Sequence, residues 1–418
     1  MIREVWRIEL GLGVGPFRLG ASIAEVLHVL KSRLPVRPFE IVYDVSEPYK
    51  RDVVVKSDQD GLKLLFDPLR QMLKCIDFYD VNRVALKFGR VIIFGGDISA
   101  TFMSVYNLFG PTFPGHYNAA VESYVLAYDG GCIRFSIPVK YRDLYEDCTN
   151  LPMEFPNGAT SAATGLAVFV GEDYRSPESP PPVEKHYFEE VGVEIDGNIT
   201  SLAFAGRKQC IRLGWSPQVL QNSFVCDYDF DVEFRALQEI ISKLGAPVSV
   251  FRRFEDPNYG SLKSFEYFTS VVLLIHICSA TIAGGIEAEY FHNYPHLGLD
   301  ILYNVMHRAS KVILKTNALG HPDFGAYNKC NFLLKFPLSA PQESKLSQRS
   351  IIKVTPHISW KEICLTFEKA TDLRPVVHDN GLGLHPFGST LCYPLTPGCT
   401  FEVMKNGFIA SVTLSIRN

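Results

Sequence analysis

What this sequence lacks is most of the machinery by which a chain announces its chemistry. Its 10 cysteines form no C-x-x-C pair and follow no regular spacing, so neither a zinc ribbon nor a disulfide framework is spelled out. No G-x-x-x-x-G-K-[ST] stretch occurs, which excludes a phosphate loop of that kind. A surplus of either charge is missing as well: 41 Lys and Arg stand against 45 Asp and Glu, a formal net charge of −4. No global field then draws the chain to nucleic acid or anionic lipid. The first ten residues, MIREVWRIEL, carry charges where a secretory signal needs an apolar stretch, so a cytoplasmic, reducing setting is expected. In that setting Cys75 in LKCIDF and Cys364 in EICLTF read as small buried hydrophobes.

What is present is a globular composition, 47% hydrophobic and 21% charged over 418 residues, enough for two or three cores. Twenty-nine Phe and 19 Tyr against 3 Trp favour pleated, half-buried surfaces and hence sheets. One arrangement recurs. DGLKLLFDPLRQMLKCIDF (60–78), HLGLDILYNVMHRASKVIL (296–314) and PGCTFEVMKNGFIASVTL (397–414) alternate, turn and alternate again, Asn406-Gly407 supplying the positive φ of a tight hairpin. AYDGGCIRFSIP (127–138) is a weaker fourth copy. Ahead of each lies a helix pattern: Ser22 and Glu25 make a capping box before Val26, Leu27 and Leu30, and ISATFMSVYNLFGP, FRALQEIISKLGAP and HISWKEICLTFEKA follow suit. The expected fold is therefore α+β, about four diverged units, each a helix packed on an antiparallel hairpin or small sheet.

The expected organisation places an N-terminal pair of units in 1–170 and a Pro/Ser-rich linker at 171–185. A third unit follows in 186–337 with an apolar insertion near 261–287, then a mobile loop at 338–352 and a C-terminal unit in 353–418. Within the insertion, Tyr267–Ile286 contains no Asp, Glu, Lys or Arg and approaches bilayer-spanning length. His276, five Ser, Thr or Cys positions and Gly284-Gly285 argue against hydrocarbon and for a buried strand–turn element or an apolar insertion.

The chemical candidates are few. GLGVGPFRLG (11–20) misses the dinucleotide fingerprint, because the third glycine position falls on Pro16 or Arg18. His292 and His296 stand four apart, but Pro295 breaks the helix that would align them on a metal. Cys330, with His321 and Asp323 nearby, and Ser389 in HPFGSTLCYPL are the nucleophile candidates of a hydrolase. Phe387 and Leu391 occupy the glycine positions a nucleophile elbow needs around Ser389, so that stretch reads better as a turn entering a strand. Trp360 and Ile363 match a short W-x-x-[LIV] docking motif, yet they share helical spacing with Cys364 and Phe367. Lys140, Arg142, Arg252 and Arg253 are candidates for a phosphoinositide-binding patch. No catalytic, cofactor or metal site is expected.

One resemblance covers nearly the whole chain. PFGSTLCYPLTPGCTFEVMKNGFIASVTL is similar to the closing segment of the phagosome assembly factor family, whose members carry P-F-G-S-T-x-C-[FY] followed by F-E-V-M and I-A-S-V-T-L. QDGLKLLFDPLRQMLKCI, FGPTFPGHYNAA, LGAPVSVF, YFHNYPHLGLDILY and LKTNALGHPDFGAYNKCNF match in order. The resemblance implies a non-catalytic cytoplasmic scaffold of autophagy, recruited to the phagophore assembly site. It also implies pairing with a WD-repeat β-propeller protein that meets phosphoinositide membranes, with no nucleic acid and no small-molecule substrate. The departure from the family pattern is the apolar SLKSFEYFTSVVLLIHICSATIAGGIEA, where family members carry a polar loop.

Overall fold

Alternating side chains build most of this protein. The computed structural model describes residues 4–95, 98–112, 115–118, 121–146, 152–183, 190–196, 198–205, 210–214, 237–252, 267–268, 289–337, 351–378 and 388–415. The chain divides into two units, Met1–Lys185 and His186–Asn418.

The first unit begins with three strands, β1 (Val5–Glu9), β2 (Gly13–Val14) and β3 (Phe17–Arg18), and helix α1 (Ile23–Ser32). Four strands follow: β4 (Glu40–Val42), β5 (Val53–Ser57), β6 (Leu62–Phe66) and β7 (Leu73–Phe78). After the hairpin of β8 (Ala85–Phe88) and β9 (Val91–Phe94) come helix α2 (Phe102–Phe109) and strands β10 (His116–Asn118), β11 (Ser123–Tyr128) and β12 (Gly131–Ser136). A short helix α3 (Arg142–Tyr145) precedes β13 (Ala163–Phe169). These strands make a five-stranded sheet in the order β3-β2-β1-β8-β9 and an eight-stranded sheet in the order β10-β11-β12-β13-β7-β6-β5-β4.

The second unit has β14 (Glu190–Asp196), β15 (Asn198–Ala205), β16 (Cys210–Gly214), α4 (Leu237–Leu244), β17 (Ser249–Arg252), β18 (Tyr267–Phe268), β19 (Tyr290–Tyr294), β20 (Leu299–Tyr303) and β21 (Ala309–Lys315). Then come β22 (Phe332–Pro337), β23 (Ile351–Val354), α5 (Trp360–Thr366), β24 (Val376–His378), β25 (Thr390–Thr396), β26 (Cys399–Val403) and β27 (Ile409–Ser415). Its sheets run β16-β15-β14-β22-β23 and β18-β17-β19-β20-β21-β27-β26-β25-β24. The two units thus repeat one topology. In each small sheet the first strand pairs parallel with a strand that arrives much later, β1 with β8 and β14 with β22. In each large sheet two antiparallel arms join through their last strands, β7 with β13 and β21 with β27.

The protein is accordingly mixed α and β with several largely antiparallel sheets, and the hairpins expected at 60–78, 296–314 and 397–414 are β6–β7, β20–β21 and β26–β27. All three carry a ladder irregularity at the end of their first strand, between Leu65 and Phe66, Leu302 and Tyr303, and Glu402 and Val403. Such bulges bend a strand and sharpen its twist, so the repetition extends to local geometry. The expected pattern of one helix packed on each hairpin is not confirmed, and two successive arms share one continuous ladder. The stretches expected as a third unit (186–337) and a C-terminal unit (353–418) are joined by strand pairing, β23 with β22 and β27 with β21.

Caps and glycines set the helix limits. Ser22 accepts the Glu25 N–H at 3.2 Å, and Ile23, Val26, Leu27 and Leu30 of α1 are buried. Full capping boxes open α2, through Thr101 and Ser104, and α5, through Ser359 and Glu362, and α2 ends at Gly110 with φ +86°. In the first unit Trp6 meets Phe17 and Phe78 edge-on, and Phe102 of α2 stacks on Phe135 of β12 at 4.0 Å. In the second, one core joins Val193 and Leu334 of the small sheet, Ile240 and Ile363 of the helices, and Ile301, Phe401 and Leu414 of the large sheet. Each such side chain contributes about 1.5–3 kcal/mol on burial.

Within the stretch expected as a linker, residues 171–183 are hydrogen-bonded along the first unit at Val170, Gly20 and Asp67. The loop expected at 338–352 lies outside the described residues except for the start of β23, and Tyr267–Ile286 lies outside them except for β18. Among the described residues no helix is long and apolar enough to cross a membrane.

Candidate functional site

Two features stand out, a polar network on the second unit's large sheet and an apolar groove on the first unit's small sheet. The network follows from register. Cys392, Glu402, Ser411 and Lys315 are successive cross-strand partners on β25, β26, β27 and β21. Their alternation partners, such as Phe401, Val412 and Leu314, enter the core, so this row occupies the opposite face. The chain between β21 and β22, Thr316–Asn331, covers that face. Thr316 holds one end of the cover by donating to the carbonyls of Ile409 and Ala410 at 2.7 and 2.8 Å.

Glu402 is the centre. Its side chain is only 14% exposed, and it accepts hydrogen bonds from Thr390 Oγ1 at 2.7 Å and Ser411 Oγ at 2.6 Å. His321 Nε2 stands 3.5 Å from the same carboxylate, while His321 Nδ1 accepts the Asp323 N–H at 3.2 Å, an arrangement that leaves the ring proton on Nε2, facing Glu402. Burial alone would raise the Glu402 carboxyl, but the His321, Ser411 and Thr390 contacts outweigh it and hold the group well below the usual carboxylate range. The network continues through Lys315, 3.3 Å from Asp323 and 5.4 Å from the Tyr327 ring centre. Tyr327 donates to Asp300 at 2.9 Å, and Asn293 donates to Asp300 at 2.7 Å. Here burial dominates, and the Asp300 carboxyl is pushed up despite Lys315 and its two donors.

The groove has a different character. Val91, Ile92, Ile93, Ile98, Ser99, Ala100, Ser104, Asn107 and Leu108 line about 360 Å³ between β9 and α2. Val91 is 52% and Ile92 42% exposed, and Met103 and Tyr106 on α2 are exposed as well. No described strand pairs with the outer edge of β9. Edge strands are normally guarded by Lys, Pro or an inward charge, and Val91–Phe94, VIIF, has none. The topologically matching edge strand β23, IIKV, carries Lys353.

The sequence candidates fall into place unevenly. Cys330 is buried, and burial pushes its thiol up to about 12, so it is held as a thiol rather than the nucleophilic thiolate. Ser389 lies half-buried beside Thr390, which is the residue that joins the network; among the described residues Ser389 hydrogen-bonds no histidine or carboxylate. His292 lies in β19 and His296 in the 3-10 turn after it, so the pair shares no helix face, and burial lowers His292 to about 3. Among the described residues no group of three or more His, Cys, Asp or Glu is arranged to hold a metal ion.

Trp360 opens α5 and stacks on Tyr393 at 4.2 Å, while Ile363 is fully buried. An extended docking motif at these residues requires α5 to unwind. Arg142 is bound to Glu146 through two contacts of 2.5 and 2.8 Å, so it adds no free charge beside Lys140; the Arg252 side chain and Arg253 lie outside the described residues. Glu402 and Asp300 were missed by sequence reasoning because a charge on the outer face of an alternating strand reads as solvated. The available signal was that PFGST, FEVM, IASVTL and ALGHPDFGAYNKC, all quoted for the family resemblance, contribute to this one network.

Comparison with known proteins agrees with that signal. Residues 13–415 match the family model described as Phagosome assembly factor 1. A PHAF1 protein of Arabidopsis thaliana is 32% identical over 98% of this chain and 92% of its own length. PHAF1 proteins of Drosophila melanogaster and Caenorhabditis elegans are each 26% identical, over 97% and 95% of the chain and 92% and 90% of their own lengths. No solved structure matches the chain.

Proposed function

The chain belongs to the phagosome assembly factor 1 family, and on that premise we propose that it is a non-catalytic scaffold of autophagy that pairs with a WD-repeat β-propeller protein. The observation that carries this reading is the unguarded apolar edge of β9 beside α2. An open strand edge offers unpaired backbone groups, which select an extended segment of a partner with apolar side chains for the groove. The network around Glu402 supports the same reading from the other side: its hydroxyls and carboxylates are engaged with one another, so it braces the second unit rather than presenting a reactive group. The protein is cytoplasmic in this reading and reaches the phagophore assembly site through its partner, which makes the phosphoinositide contact. The four-unit descent of the fold, one helix serving each arm of each large sheet, is part of the same proposal.

The test is affinity isolation of the tagged full chain from its own cells. A WD-repeat propeller recovered in stoichiometric amount, and lost with Ile92→Glu while the variant keeps its native hydrogen-exchange pattern, is the expected result. Isolation that never yields such a partner overturns the reading. Liposome flotation with phosphoinositide vesicles separates the membrane contact: the chain alone stays at the bottom and floats only with its partner.

A further inference from the structure

The stretch GEDYRSPESPPPV (171–183) behaves as a strap on the first unit. Glu178 N–H donates to the Val170 carbonyl at 2.8 Å, and Val183 N–H to the Gly20 carbonyl at 3.1 Å. Between these ties the Ser179 hydroxyl donates to the carboxylate of Asp67, and Pro177 and Pro180 on either side are buried. The fit is close: Gly20 sits at φ +84°, and a Cβ there would come within 2.2 Å of the Pro181 carbonyl oxygen.

Asp67 is already committed. Its other oxygen accepts the N–H groups of Leu69 at 2.8 Å and Arg70 at 2.7 Å, closing the turn between β6 and β7. Burial pushes this carboxyl up, but the Ser179 and backbone donors more than offset it, so the group is a carboxylate. The nearby cation Lys74 is taken by Asp52 at 2.8 Å. Ser179 therefore holds the strap only because it has a proton to give. Its surroundings, Pro177-Glu178-Ser179-Pro180, place a proline directly after the hydroxyl and another two residues before it. Those are the flanks that proline-directed serine kinases select.

We infer that Ser179 is a phosphorylation site for a proline-directed kinase and that its phosphate releases the strap from the first unit. In the transfer, the Ser179 Oγ–P bond forms as the bond from the γ-phosphorus of ATP to the bridging oxygen of ADP breaks. The hydroxyl proton leaves to the kinase's base. The tie is then reversed rather than weakened, since a donor becomes an acceptor of about −2 charge facing a carboxylate. The described strap ends at Val183, two residues short of the boundary at Lys185, so release adds its length to the chain joining the two units. The inference holds or fails independently of the proposed partner.

The test treats the purified full chain with a proline-directed serine kinase and Mg-ATP, maps the phosphate by peptide mass, and follows hydrogen exchange over 171–183. Phosphate on Ser179 with exchange at Glu178 and Val183 faster by about tenfold or more is expected. In the Asp67→Asn background, phosphorylation is expected to change exchange only a few-fold, because the opposing charge is gone. Gly20→Ala drives the strap off without phosphate and keeps the serine within a kinase's reach. Phosphate confined to Ser176, or none on Ser179 even in Gly20→Ala, overturns the site. Full Ser179 phosphorylation with unchanged protection overturns the release, and equal release in Asp67→Asn overturns the carboxylate as its cause.

Discussion

The two units share a topology and differ in how they tie it together. In the first, guanidinium groups do the tying. Asp60 is completely buried and receives Arg33 at 3.0 Å, Arg37 and the Ser57 hydroxyl at 2.9 Å, and Arg134 clamps Asp77 and the Phe78 carbonyl across the large sheet. In the second, Glu402 and Asp300 are held by hydroxyls, an amide and an imidazole, with Lys315 as the cation between them. Arginine guanidinium groups stay charged at every physiological pH, whereas the second unit's acid response runs through the Glu402 carboxyl and, on the core side of the same sheet, the buried His292. The repeated architecture therefore rests on the alternating core, and the polar ties are free to diverge.

The sharpest way to break this comparison is Asp60→Ala, which leaves two guanidinium groups facing an empty pocket. A loss of about 3–5 kcal/mol in urea denaturation is expected, with hydrogen exchange placing it in the first unit. A loss smaller than that of Glu402→Gln would undo the contrast. Glu402→Gln keeps the shape but not the charge, and about 1–3 kcal/mol is expected.

Its pH signature is more telling. The folded carboxyl titrates below its unfolded value of about 4.3, so its contribution is complete above that pH and fades as pH falls further. Glu402→Gln should flatten the stability profile in that lower window. His292 covers the window above. It is lowered to about 3 from an ordinary 6.5, so the unfolded chain takes up a proton that the fold refuses, and stability falls as pH drops from 6.5 towards 3. His292→Phe should remove that slope, at most about 1.4 kcal/mol per pH unit; a slope that survives places the acid sensitivity elsewhere. Asp300, raised by burial, works in the opposite sense and gains as pH falls.

Helix caps are a finer probe, since both units use them alike. Thr101→Ala and Ser359→Ala should each cost about 1 kcal/mol by thermal or chemical denaturation, and a large disparity would mean that one helix is held by packing alone. The smallest expected effect is Ile92→Glu at the exposed edge, within about 0.5 kcal/mol of the parent, because no buried contact is lost.

How much of this was legible in the sequence depends on range. Alternation revealed the three hairpins, and Asn406-Gly407 marked its turn, because strand period and turn chemistry are local. The Ser22 cap and the buried face of α1 were legible for the same reason. The joining of arms through β7 with β13 and β21 with β27 was not, since nothing near those strands names the partner across the sheet. The site followed the same rule. Thr390 was overshadowed by its neighbour Ser389, and Glu402 looked solvated until Thr316–Asn331 folded over it. Residues 171–183 had the composition of a linker, and composition does not show that Gly20 leaves room for Pro181.

The late parallel strands have a consequence for how such a chain can grow. Val191 pairs with Phe332 across a long excursion, where the first unit closes the same step from Val5 to Ala85. The entropy of closing a loop rises only with the logarithm of its length, about 0.6 kcal/mol for each doubling. Residues added inside that excursion, which holds the apolar stretch between β17 and β19, would change the closing cost little. They exact their toll in time, because a pairing so distant in sequence forms late and leaves the edge of β14 bare while it waits. The second unit can therefore lengthen in the middle without altering its final register, at a cost in speed of folding rather than in depth of stability.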